Sequence, residues 1–404
     1  MKKISHFIGL LWVCMTMQAQ QQRIFSEDIR SLQVLIDDDP LRAPVMEKGE
    51  HVVIEFDELS HDYHRYVYHI LHCNADWTET EDLFESDFLT GFNDQPIEDY
   101  ENSLNTTQLY THYRLVFPNK ETQLRVSGNY RVLIYEDEDR DEPLLQAEFC
   151  LAESTMNIIA ELTTNTDIDF NQAHQQLSYS ISYGANRVVD PMREIHTVVM
   201  QNRRQDTKVI DLPPNIQKSN GVEFTHRREL IFPAGNEFHK FEILDVQKPG
   251  LKVDNMRWYE PYYHATLYTD KPPRNYILEE DQNGAFVMRN DGDIGEDATT
   301  SEYLWVHFSL RMPKSDTPIR LYGQWTNGFP DEQYLMEYNE EAQEYQAAVY
   351  VKQGYYNYMY LGENGEAPDG NFYETENEYM ILVYYRPQGG RYDRLAGYRV
   401  MRSA

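Results

Sequence analysis

Short apolar runs in this chain repeat with a period of two, and none sustains the i, i+3, i+4, i+7 spacing of a helix for more than about two turns. His51-Val52-Val53-Ile54-Glu55-Phe56, Tyr66-Val67-Tyr68-His69-Ile70-Leu71 and Gly128-Asn129-Tyr130-Arg131-Val132-Leu133-Ile134-Tyr135 are β-branched and aromatic runs of this kind. The acidic stretch Glu136 to Glu142 interrupts the last run before a returning strand from Leu144 to Leu151, which predicts a hairpin with a solvated tip. Glu79 to Phe88 is the best short-helix candidate. The 31 tyrosines point the same way, because a half-buried amphipathic ring suits a pleated surface with one wet face. The expected class is all-β.

Breaks in composition divide the chain into three units. Residues 22–152 end with the hairpin, 153–280 begin with Asn157-Ile158-Ile159-Ala160-Glu161-Leu162, and 281–300 read as a connector rich in Asn, Asp, Gly and Thr. Residues 301–404 form the last unit and hold 16 of the 31 tyrosines, counted from Tyr303. Turns every 8 to 12 residues or so predict three consecutive immunoglobulin-like β-sandwich domains. In the last unit, Arg320-Leu321-Tyr322-Gly323-Gln324-Trp325, Met336-Glu337-Tyr338-Asn339 and Gly354-Tyr355-Tyr356-Asn357-Tyr358 together resemble the early-set modules that include glycogen-binding domains. That resemblance makes Trp325 and Tyr355 candidate sugar-stacking aromatics, with packing in a core or interface as the alternative.

At the N-terminus, Lys2 and Lys3 precede an apolar run from Ile4 to Val13 and then Met17-Gln18-Ala19, which predicts a signal peptide over 1–19. Acylation of Cys14 is the competing reading, but Val13 stands where a small residue is wanted. No later stretch approaches the apolar length of a membrane-spanning helix. Of 404 residues, 67 are Asp or Glu and 36 Lys or Arg, a formal net charge of −31, and loss of Lys2 and Lys3 lowers it further. Nucleic acid and anionic lipid are excluded as expected partners, since both draw their affinity from clustered cations. Cys73 and Cys150 are compatible with one disulfide or with two buried thiols on separate strands.

A search for chemistry finds no Gly-x-Ser-x-Gly elbow, no Ser-x-x-Lys and no phosphate-cradling glycine loop. His61, His64, His69, His72, Cys73 and Asp76 form the densest candidate for a metal, but positions three apart on a strand face opposite ways, so His69 and His72 do not ligate together. Two Asp-rich stretches, Asp137 to Asp141 and Asp291 to Asp297, lack the glycine and third-ligand placement of a calcium loop and read as solvated turns. No catalytic residue, metal or cofactor is expected.

Several unusual strings occur in fixed order: His72-Cys73-Asn74-Ala75-Asp76-Trp77; Gly91-Phe92 with Ile97-Glu98-Asp99-Tyr100; Ser103-Leu104-Asn105-Thr106-Thr107 leading to Tyr110-Thr111-His112-Tyr113 and Pro118-Asn119; Gln201-Asn202-Arg203; Gly235-Asn236-Glu237-Phe238; Lys352-Gln353-Gly354-Tyr355-Tyr356-Asn357-Tyr358; and Glu374-Thr375-Glu376-Asn377-Glu378-Tyr379 with Tyr385-Arg386-Pro387 and Arg391-Tyr392-Asp393-Arg394-Leu395. Together they resemble the plug proteins of the Bacteroidota type IX secretion system. The resemblance implies a non-catalytic periplasmic protein, associated with the outer membrane, that closes the periplasmic mouth of a translocon barrel and meets that barrel and its associated components. It identifies no interface residues. A periplasmic or surface glycan-binding protein, resting on Trp325, is the second expectation.

Overall fold

The computed structural model describes residues 22–137, 142–292, 297–327, 332–363 and 365–403. The segment 1–19 with Cys14, and Asp139, Asp141, Asp293 and Gly295 of the two Asp-rich stretches, lie outside them. The chain is all-β, as the alternation predicts. Glu85–Phe88, the end of the helix candidate, forms a single helical turn.

Among the described residues, three pairs of sheets enclose the three largest apolar cores. In the N-terminal sandwich one sheet runs in the order Arg23–Ile24, Leu145–Leu151, Gly128–Glu136, Tyr66–Cys73, Gln95–Pro96. The facing sheet runs Ile29–Ile36, Val52–Glu58, Thr111–Phe117, Tyr100–Asn102. The predicted hairpin is present, with Gly128 opposite Leu151 and Ile134 opposite Leu145. Alternation sets its burial: Tyr130, Val132 and Ile134 enter the core with Phe56, Ile70, Phe117 and Phe149, while Arg131 and Leu133 face outward.

The other two sandwiches are nested rather than consecutive. Asn157–Thr163, His174–Ser182, Gly221–Phe224 and Ile216–Lys218 form one sheet. The sheet that closes their core is Val209–Ile210, Ile195–Gln201, Glu378–Tyr385 and Arg394–Arg402, so the C-terminal strands belong to the second sandwich. The third sandwich is inserted between Pro233 and Glu378. Its sheets are built on Gly354–Leu361, flanked by His239–Ile243, Phe286–Met288 and Arg320–Tyr322, and on the order Val253–Tyr259, Tyr262–Leu267, Tyr303–Leu310, Glu344–Lys352, Glu337–Asn339. The linear division at 153–280, 281–300 and 301–404 is therefore crossed in three places: 239–267 pair with the last unit, the expected connector supplies Phe286–Met288, and 378–402 return to the middle unit. Strand formation is a local property, but the choice of partner is made by non-local packing, and turn spacing carries no information about it.

Glu378–Tyr385 is buried along its whole length because it serves two cores. Tyr379, Ile381, Val383 and Tyr385 pack inside their own sandwich, and Met380, Leu382 and Tyr384 pack against the N-terminal one. A strand covered on both faces reads in sequence as an unbroken apolar run.

Candidate interaction surface and the junctions that support it

Trp325 lies within the core of the inserted sandwich, 7% exposed, with Phe308, Tyr334 and Tyr356 around it. Its Nε1 donates to the Asn357 carbonyl at 2.8 Å. Gly323 makes that bond sterically feasible, because a Cβ there would collide with the indole Nε1 and the Asn357 oxygen. The Gly-x-Trp spacing thus has a packing cause. Tyr355 is half-buried and sits on the opposite face of its strand from Tyr356, with its hydroxyl accepting from Asn357 Nδ2 at 3.0 Å. Trp325 and Tyr355 therefore stand on opposite sides of one strand and do not converge on a common sugar ring.

The histidines of the first unit are dispersed. His64 pairs with Glu136 at 3.1 Å and His69 with Asp94 at 3.0 Å, both on the solvent side, whereas His72 is buried between Thr80 and the Ser127 carbonyl. Burial pushes the His72 imidazole down to about 4, against the opposing effect of the Ser127 bond. Among the described residues, no three His, Cys, Asp or Glu side chains are grouped so as to hold a metal. Cys73 and Cys150 are buried free thiols whose strands flank the same central strand, both opposite Asn129. Two strand spacings of about 4.8 Å separate them, beyond disulfide reach.

Sequence reasoning missed a buried ionic cluster where the N-terminal and inserted sandwiches meet. Asp57 accepts from His112 Nδ1 at 2.7 Å, Tyr303 Oη at 2.6 Å and Lys352 Nζ at 2.7 Å. Lys352 also donates to the Ala298 carbonyl and lies 4.1 Å from the centre of the Tyr110 ring. Asp57 and His112 come from one sandwich, Tyr303 and Lys352 from the other. Burial alone would raise the Asp57 carboxyl, but Lys352 and His112 hold it below the usual carboxylate range. Burial lowers the Lys352 ammonium, with Asp57 opposing. The Lys352 and Asp57 side chains are 0% and 1% exposed, so they meet no substrate, and what the cluster can do is fix the two sandwiches in one orientation. Glu302 adds to this by accepting from the backbone N–H groups of Thr107 and Gln108.

The junction between the N-terminal and split sandwiches is apolar. Val45, Cys73, Ala75, Trp77 and Cys150 pack on Val198, Met200, Met380, Leu382 and Leu395. Polar groups finish its edge: the Ala75 N–H donates to Asp393, Arg386 to both Asp393 and Asn74, and Tyr384 to Asn129. Arg203 pairs with Glu378 and donates to the carbonyls of Leu41 and Arg42. The distinctive strings around Trp77, Arg203, Glu378 and Arg386 are thus determinants of how the units meet.

Exposed aromatic and apolar side chains gather elsewhere, at the tip of the Val253–Tyr259 and Tyr262–Leu267 hairpin and on the neighbouring 103–110 loop of the N-terminal sandwich. Trp258 and Tyr259 are 47% and 54% exposed.

No curated protein matches the chain. A hypothetical protein from Parabacteroides merdae, known from a crystal structure, is similar over 96% of this chain and 100% of its own, with 38% identity and a TM-score of 0.91. Residues 29–153, which make up most of the N-terminal sandwich, match the family described as type 9 secretion system plug protein, 1st domain. Through its N-terminal sandwich, residues 29–153, the chain belongs to the type 9 secretion system plug protein family.

Proposed function

We propose that this protein is a non-catalytic plug that is exported to the periplasm, binds the periplasmic opening of the type IX translocon barrel in the outer membrane and keeps it shut when no cargo passes. The observation that carries the reading is the family match over 29–153 in a chain whose sandwiches are locked to one another by buried contacts. A pore wide enough for folded cargo leaks unless something stiff covers it, and interlocked sandwiches supply stiffness without chemistry. No helix among the described residues is long and apolar enough to cross a membrane, which accords with a protein that docks on a barrel. Opening then requires a partner or cargo that binds the unplugged barrel better than the plugged one, since a ligand shifts an equilibrium only by its differential affinity. The buried, hydrogen-bonded Trp325 gives the glycan-binding alternative no support.

The test is a deletion strain that retains the translocon. Increased sensitivity to a large antibiotic normally held out by the outer membrane is expected, with recovery on complementation. Equal sensitivity in deletion and parent strains would contradict the proposal.

A further inference from the structure

A ridge of exposed side chains, linked through the half-buried Gln108 and Tyr350, crosses from the N-terminal sandwich to the inserted one. It begins with Tyr63 and Tyr100, whose ring centroids are 5.8 Å apart. The strand Tyr100–Asn102 leads into Leu104, whose N–H donates to the Thr299 carbonyl of the inserted sandwich at 2.8 Å. Next comes the exposed Leu109, beside Gln108, which accepts from the Tyr350 hydroxyl at 3.2 Å. The Tyr350 ring lies 5.5 Å from Tyr262, and Tyr262 stands opposite Tyr259 at the hairpin tip. The ridge depends on the relative placement of two sandwiches, and Asp57, Lys352 and Glu302 fix that placement directly beneath it.

We infer that this composite ridge is the face through which the protein docks on its partner protein, an inference that rests on the plug reading above. Tyrosines held by rigid neighbours lose little entropy on binding, and aromatic anchors dominate the energetics of interfaces. Charge selects the occupant. Asp62, Glu98, Asp99, Glu101 and Glu260 stand exposed along the ridge. The cations there are Arg65, paired with Asp137, Arg257, which donates to the Tyr259 hydroxyl, and Arg30 near Tyr350, which donates to the Glu27 and Ile29 carbonyls, so the acidic groups outnumber them. An acidic rim around an apolar centre fits a protein surface with an apolar groove edged by Lys and Arg. A second copy would set two acidic rims against each other, and anionic lipid would be repelled for the same reason.

The test places a photo-reactive residue at Leu109 or at Tyr259 in the full-length chain in cells, with Ile159 and Phe170 on the split sandwich as exposed apolar controls. Adducts with one outer-membrane barrel from 109 and 259, and none from the controls, are expected. The paired variant Leu109→Asp, Tyr259→Ala should melt like the parent and lose at least tenfold in barrel recovery. Adducts from 159 or 170 with none from 109 and 259, while the barrel still co-purifies, would overturn the ridge and leave the plug reading standing. Adducts with a second copy or with lipid would also overturn it. Failure of the unaltered protein to co-purify with any barrel would remove the plug reading and this inference together.

Discussion

Against the split sandwich the N-terminal sandwich lays Trp77, Cys73 and Cys150 on Met380, Leu382 and Val198; against the inserted sandwich it buries Asp57 on Lys352. Both contacts exclude water, yet they constrain the molecule differently. Apolar burial contributes roughly 25 cal/mol per Å² and is indifferent to small slips, so it holds two bodies together without dictating their angle. A buried ion pair adds little net stability, because desolvation offsets the attraction, but it tolerates almost no displacement. One junction is thus mainly adhesive, with the hydrogen bonds of Ala75, Arg386 and Tyr384 registering its edge, and the other orients through a buried charge pair. The exposed ridge, shared by the N-terminal and inserted sandwiches, lies over the orienting junction.

Three experiments sharpen this comparison. The largest effect is expected from Lys352→Met, which strips the buried Asp57 of its ammonium partner, leaves it only the His112 and Tyr303 contacts, and should cost about 3 to 5 kcal/mol in chemical denaturation. Adding Asp57→Asn removes the stranded charge and should return part of that loss; a Lys352→Met variant within about 1 kcal/mol of the parent would show that the pair does not orient the units.

An intermediate effect is expected from pH. His239 bridges Asp369 at 3.0 Å and Asp270 at 3.4 Å, joining a strand of the inserted sandwich to the segment that returns the chain to the split one. Burial would lower this imidazole, but the two carboxylates raise it to about 10. A group raised above its unfolded value near 6.5 stabilises fully below that pH and loses its contribution as pH climbs toward 10. The melting temperature should fall between pH 7 and 10, and His239→Gln should flatten that fall. A fall just as steep in His239→Gln would assign it to other groups.

The smallest effect is expected at the adhesive junction, where Met380→Leu conserves volume and should cost less than about 1.5 kcal/mol. A larger loss would mean that the apolar junction is as exacting as the ionic one.

Particular residues show what the sequence made legible. Gly128 to Tyr135 declared itself a strand because one face meets a core and the other does not, a property written in adjacent residues. That Ile195–Gln201 would pair with Glu378–Tyr385 was not legible, because the partner lies far along the chain and any apolar strand of similar length satisfies the same pattern. Gly323-x-Trp325 carried the same letters whether the indole stacked on a sugar or filled a core, and only the Asn357 carbonyl decided between them. The family strings were readable as a set, but the place of Trp77, Arg203 and Arg386 at the junctions was not. Asp57 gave no local signal, and Lys352 opened a distinctive string that revealed no partner; only folding makes the two neighbours. The exposed hairpin tip does leave a mark in the sequence: Trp258-Tyr259-Glu260-Pro261-Tyr262-Tyr263 sets four aromatics about a proline turn, an unusual density for a solvated loop.

An interlocked body that occludes a barrel should block the current through it, and conductance measures occlusion itself. Purified translocon barrel in a planar bilayer, with this protein added on the periplasmic side, should show a saturable fall in conductance that reverses on washout. Conductance unchanged at concentrations where the two proteins demonstrably bind would contradict the claim.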